Sequence, residues 1–382
     1  IFQPIISYSM SIDEWERCDT LSEDLAWGIA MPEFEGLIEP IMLGAVRSGS
    51  EDIYNRTAIP GRASKIARRI ANWMKLRSKD NAEKKVVLIL NNNPCASVEA
   101  NIGSAAGLDS IRSTVNIMSH LRDAGYRISV PKDADDLMRA FRERKATSEF
   151  RWTSINDIIS NGGAVYRMPL REYLDYFDSL PEKVRIKVKE TWGEPPGQSM
   201  VYDNDIIITG LKCGNAIVAV QPKRGCYGSR CDGTVCKILH DPDCPPTHQY
   251  LATYHFFRDI FDADALIHVG THGSLEFLPG KGTGLSETCY PDICIGDKPL
   301  IYVYNTDNPP EGAIAKRRCY SPLVGHMQTS MTSAGLYEGY LKLDSLLAQY
   351  ETAGTDRSRQ HALHHMILDA VNEAGLTDIG VD

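Results

Sequence analysis

Long apolar runs are missing from this 382-residue chain. Clean stretches such as Val86 to Leu90 stop at five residues, against the roughly 20 that a membrane helix needs, so no membrane span is read here. No Lys or Arg precedes an apolar stretch near the start, so no secretory leader is read there either. The expected compartment is the cytoplasm. Positive charge is also short. Asp and Glu number 50 against 41 Lys and Arg, a net charge of −9, which disfavours a dedicated nucleic-acid binder. Three signatures are absent as well: a C-x2-C pair, an H-E-x-x-H helix and a G-x-x-x-x-G-K-[ST] loop. What remains is ordinary globular composition, with 43% hydrophobic and 24% charged residues.

Cysteine is not scarce. There are ten, five of them between Cys213 and Cys244. In a reducing compartment these are thiols or metal ligands rather than disulfides. Cys226, Cys231 and Cys236 are spaced by four residues and followed by His240 and Cys244, a set able to hold zinc or an iron–sulfur cluster. The four-residue gaps do not match the zinc-knuckle spacing, and free thiols in a loop are the competing reading.

The charge is unevenly placed. Residues 1–60 carry eleven acids against three arginines. A basic stretch follows, in which Ile66, Ile70, Trp73 and Met74 fall on one stripe, predicting an amphipathic helix over 62–77 with a basic outer face. "KKVVLIL" reads as a buried parallel strand, then a polar Asn/Pro loop, a helix ending at Gly125, and "YRISV" as a second strand. Further strands are expected at "DIIITG", "GNAIVAVQP", "DALIHVG" and "PLIYVYN". The fold class is therefore α/β, with Rossmann-like parallel-sheet lobes and flanking helices. We expect a partial N-terminal segment over 1–80 and a first lobe with a helical insertion over 81–200. A second lobe over 201–352 and a helical tail over 353–382 complete the division. In such folds ligands sit at the carboxyl ends of the strands.

The densest group of reactive side chains, "HVGTHGSLEFLPGKGTGLS", directly follows a strand. It holds His268, His272, Glu276 and Lys281, with glycines that include Gly270 and Gly273 and allow close backbone approach to a ligand. A P-loop fails on spacing. A zinc hydrolase would want His268, His272 and Glu276 on one helix, which Gly270 and Gly273 oppose. The third reading is a site where His and Glu pass protons, and transiently a metal, to a large ligand in a cleft.

These residues resemble the large subunit of class I chelatases, the family that comprises cobaltochelatase CobN and the large subunit of magnesium chelatase. The likeness rests on "ADALIHVGTHGSLEFLPGKGTGLS", "YPDICIGDKPLIYVYNTDNPPEGAIAKRR", "HDPDCPPTHQYLATYHFFRD" and "TWGEPPGQ", and covers roughly residues 60–350. It implies a multi-lobe middle section of a longer, cage-like subunit, which would account for a chain opening at Ile1. It implies a ligase-type subunit that inserts cobalt into a corrin precursor such as hydrogenobyrinic acid a,c-diamide, within cobalamin biosynthesis. The alternatives are magnesium insertion into protoporphyrin IX, or a non-catalytic tetrapyrrole carrier or sensor. ATP would be hydrolysed by a partner AAA+ subunit, and a third subunit with an integrin-like domain would complete the complex.

Carried over by position, the family's His-Gly-x-Leu-Glu core falls on His272, Gly273, Leu275 and Glu276, and its Pro-Gly-Lys on Pro279, Gly280 and Lys281. Because insertion needs a base, Glu276 is the expected proton acceptor or transient metal ligand, with His272 beside it and His268 third. Gly270, Thr271, Gly273, Lys281, Lys316, Arg317 and Arg318 are the expected tetrapyrrole contacts, the cations pairing with acidic side chains of the macrocycle.

Overall fold

The computed structural model describes residues 1–382 apart from 22, 50–54, 92–101, 106, 149–152, 226–240, 272, 305–308, 326–337, 355, 375 and 377–382. Two compact units result, Ile1–His326 and Met327–Asp382. The strands in chain order are β1 (Phe2–Ser11), β2 (Ile38–Val46), β3 (Arg56–Ala58), β4 (Val86–Leu90), β5 (Ala164–Met168) and β6 (Val201–Tyr202). They continue with β7 (Asp205–Thr209), β8 (Leu211–Cys213), β9 (Ala216–Val220), β10 (Ala265–Gly270), β11 (Leu300–Tyr304) and β12 (Leu323–Val324).

The first unit is mixed α/β. Its main sheet has the order β12-β11-β10-β4-β9-β8; every pairing is parallel except that of β8 with β9. The central strands are continuous β-branched and aliphatic runs because both faces are covered. Val87, Ile89, Ile217, Ala219 and Leu266 face one core, while Val86, Leu88, Val218, Ile267 and Val269 face the other. The first core is closed by the helices Leu170–Asp178, Glu182–Trp192 and His248–His255; the second by Ser110–Asp123 and Ala134–Arg144. Two three-stranded sheets, β1-β2-β3 and β5-β7-β6, complete this unit.

Three expectations are corrected. The division at 200 falls inside one sheet, since β4 lies between β9 and β10. "YRISV" forms no strand; Ile128 alone bridges to Gly214, because β8 is only three residues long at that edge. The helix Pro60–Ser78 buries part of its basic face instead of exposing it. Arg62, Lys65 and Arg69 are at most 7% exposed, whereas Met74, on the expected apolar stripe, is 66% exposed. The cause is the supply of interior carboxylates. Arg62 and Lys65 both reach Asp292, at 2.9 and 3.0 Å, and Arg69 pairs with buried Glu39.

The second unit pairs the helices Glu338–Thr352 and Arg357–Glu373 through Leu343, Leu346, Leu363, Ile367 and Ala370. Its second helix starts on the Asp356 cap, whose carboxylate accepts the Arg359 N–H at 3.1 Å.

Candidate functional site

β4, β9, β10 and β11 run parallel in register, so their carboxyl ends lie side by side. Asn91 follows β4 and Gln221 follows β9. Beyond Gly270, the end of β10, comes the turn that carries Glu276, and Tyr302 stands in register with His268. The Glu276 carboxylate accepts the Gly273 N–H at 2.8 Å and the Tyr302 hydroxyl at 3.2 Å. Tyr302 in turn accepts from the Asn91 amide at 2.9 Å. On the other side, Gln221 accepts the Ser274 N–H at 2.8 Å and donates to Tyr250 and Tyr254. Glu276 itself is wholly buried. Burial, and then the charge of Glu276, raise the Tyr302 hydroxyl well above its ordinary value, so it stays a donor.

The glycines are explained by these partners. A Cβ on Gly270 would sit 2.2 Å from the Asn91 amide nitrogen, and one on Gly273 would sit 2.7 Å from the Gln221 amide oxygen. Both residues, expected to bring backbone close to a ligand, make room here for two side chains from neighbouring strand ends. Thr271 is buried at the start of the same turn.

The expected site residues are distributed unequally. His272 lies outside the described residues, as do Cys226, Cys231, Cys236 and His240. Cys244 is described and is buried in the main core. His268 points into that core with no exposure, shares a hydrogen bond of 3.1 Å with Tyr254, and has its pKa pushed down to about 3 by burial. It is a neutral imidazole. The Lys281 ammonium donates to the carbonyls of Trp15, Glu16 and Cys18, closing the helix Ile12–Arg17 at its negative end. Arg317 forks onto Glu33 at 3.0 and 2.8 Å. Arg318 donates to the carbonyls of Glu276, Leu278, Gly280 and Lys281, holding the backbone of the glycine-rich loop in place. Among the described residues Lys316 makes no hydrogen bond or ion pair, and it borders a cavity of about 290 Å3 with Tyr304 and Phe34.

A larger cleft, of about 1160 Å3, opens over Pro279, Gly280 and Lys281. Arg17, Lys183 and Lys187 stand on its walls beside Tyr290. Residue spacing alone did not reveal Asn91, Gln221 or Tyr302 as parts of the site. Their one visible signal is a polar residue immediately after a buried strand at Asn91 and Gln221, and a tyrosine inside one.

A parallel sheet with a buried carboxylate at its strand ends, followed by a Pro-Gly-Lys turn over a large cleft, defines the chain as an α/β protein with a candidate site at the carboxyl ends of its strands. It belongs to the CobN/magnesium chelatase family, whose model matches residues 1–382. It is 51% identical over 389 residues to an uncharacterized protein of Methanocaldococcus jannaschii, covering 99% of this chain and 31% of that one. The aerobic cobaltochelatase subunit CobN of Sinorhizobium sp. is 33% identical, across 100% of this chain and 30% of its own. The catalytic subunit of cobaltochelatase from Mycobacterium tuberculosis superposes with a TM-score of 0.70 at 31% identity, covering 98% of this chain and 30% of that one. The chain thus spans less than a third of the length of the relatives it matches.

Proposed function

We propose that this chain carries the tetrapyrrole-binding and metal-inserting section of a cobaltochelatase large subunit, working in the cytoplasm on a corrin precursor such as hydrogenobyrinic acid a,c-diamide. The observation that carries the reading is the buried Glu276 carboxylate, held by Gly273 and Tyr302 on the loop that also borders the large cleft. Metal insertion exchanges the single inner N–H proton of a corrin, or the two pyrrole N–H protons of a porphyrin, for one divalent ion, so a base must stand close to the ring nitrogens. Glu276 takes one of those protons or briefly holds the metal substrate, with His272 as its neighbour in sequence. His268, neutral and enclosed, positions Tyr254 and takes no proton.

The volume of the cleft over Pro279–Lys281 supports a macrocycle as ligand, and Arg17, Lys183 and Lys187 are its proposed partners for the ring's carboxylates, on walls that also carry Glu16, Asp19, Glu182, Glu190 and Asp243. Lys281 and Arg318 shape the loop beneath it, and Lys316 is the remaining cation of the expected set. Because Glu276 is buried, the loop over Ser274–Phe277 has to open before the ring nitrogens reach its carboxylate. The chain lacks a P-loop, and ATP hydrolysis is assigned to an AAA+ partner, with an integrin-like subunit completing the assembly.

Cobalt is favoured because the family members matched over nearly the whole chain include a cobaltochelatase subunit and a solved cobaltochelatase structure. Magnesium insertion into protoporphyrin IX is the second reading, since the family model spans both chelatases. Intrinsic fluorescence quenching of the full-length subunit by a cobalt-free corrinoid and by protoporphyrin IX separates the two. Saturable quenching by the corrinoid at lower concentration is expected. Tighter porphyrin binding reverses the assignment, and no binding of either removes it.

A further inference from the structure

The helix Arg357–Glu373 carries three histidines, His361, His364 and His365, all exposed, while Leu363 and Ala370 of the same helix are buried. His361 and His365 are four residues apart, so they stand one above the other on one face. Their Nε2 atoms are 3.3 Å apart, with ring planes at 87° and centroids 4.7 Å apart. Two imidazole nitrogens at about 2.05 Å from one ion, subtending a tetrahedral angle, lie about 3.3 Å apart. The two rings are therefore already at the separation a shared metal demands, on a helix that holds their backbones fixed.

We infer that His361 and His365 form a two-imidazole site for a borderline divalent transition-metal ion of the cobalt(II), nickel(II) or zinc(II) class. No third His, Cys, Asp or Glu converges on the pair among the described residues, so water fills the remaining coordination positions. Such a site is open and exchanges its ion readily. Magnesium does not occupy it, because that ion demands oxygen ligands and sheds water reluctantly, whereas imidazole suits the later transition metals. Binding here concerns only these two histidines. That the captured ion is the one later inserted rests on the cobalt reading above, and the experiment measures binding alone, so its failure leaves the insertion reading standing.

The test is calorimetric titration of the full chain with cobalt(II), under reducing conditions, with magnesium(II) in parallel. Wild type is compared with His361→Ala, His365→Ala, the double variant and His364→Ala. All three positions are exposed, and circular dichroism checks that the helix persists. The expected result is one fewer cobalt(II) bound in His361→Ala, His365→Ala and the double variant. His364→Ala is expected to keep the wild-type count, and excess magnesium to displace nothing. Equal cobalt stoichiometry in the double variant and the wild type overturns the site and leaves the pair as a ring–ring hydrogen bond. Displacement by magnesium overturns the selectivity.

Discussion

His268 shows how a single buried group ties structure to pH. Its pKa lies near 3 in the folded protein against about 6.5 in an unfolded chain, so the folded state resists protonation. The stability it allows is complete above about pH 6.5 and is lost as pH falls toward 3, at about 1.4 kcal/mol per pH unit. His268→Gln removes that titration while offering an amide to Tyr254. Its acid-unfolding midpoint, followed by circular dichroism, is expected to fall to lower pH than that of the wild type. Coincident acid limbs would show that His268 is not the group being titrated. At this scale the sequence was readable where chemistry is local. Glu276 and Lys281 stood out within one glycine-rich run, although Lys281 proved to close a helix from the other end of the chain. Asn91, Gln221 and Tyr302 did not stand out. They are far apart in the chain and meet only because parallel strands end level.

The helix Pro60–Ser78 is where periodicity misled most. An apolar stripe normally marks the buried face, yet here three cations are interior because carboxylates wait for them. Burial alone would raise the Asp292 carboxyl, but Arg62 and Lys65 hold it well below the usual carboxylate range. Tyr320 donates to it as well, at 2.6 Å. Asp292→Asn keeps the shape and deletes the charge, leaving two buried cations uncompensated. The expected loss is about 3–5 kcal/mol of unfolding free energy, read by urea denaturation. A loss below about 1 kcal/mol would mean that solvent reaches the pair. The strands, by contrast, were legible from composition. β4, β9, β10 and β11 are β-branched or aromatic runs bounded by turn residues, and each formed where expected. "YRISV" shares that composition, but its partner strand is too short to recruit it.

Over the whole molecule, the placement of charge acquires a physical sense. The acidic first 60 residues send Glu39 to Arg69 and Glu33 to Arg317, and main-chain carbonyls near Cys18 to Lys281. What looked like two separate lobes share the main sheet, because chain order does not reveal that β4 inserts between β9 and β10. Family membership was legible in the motifs, whereas the choice of metal was not, since the family that matches includes both cobaltochelatase and magnesium chelatase. We propose that Glu276 accepts a proton or the metal during insertion. That role is tested most directly by single-turnover cobalt insertion with the full-length subunit and its ATPase partners, comparing wild type, Glu276→Gln and Glu276→Ala while corrinoid binding is monitored by fluorescence. Both variants are expected to bind the corrinoid, and neither is expected to insert the metal. Insertion at the wild-type rate by either folded variant would contradict that role.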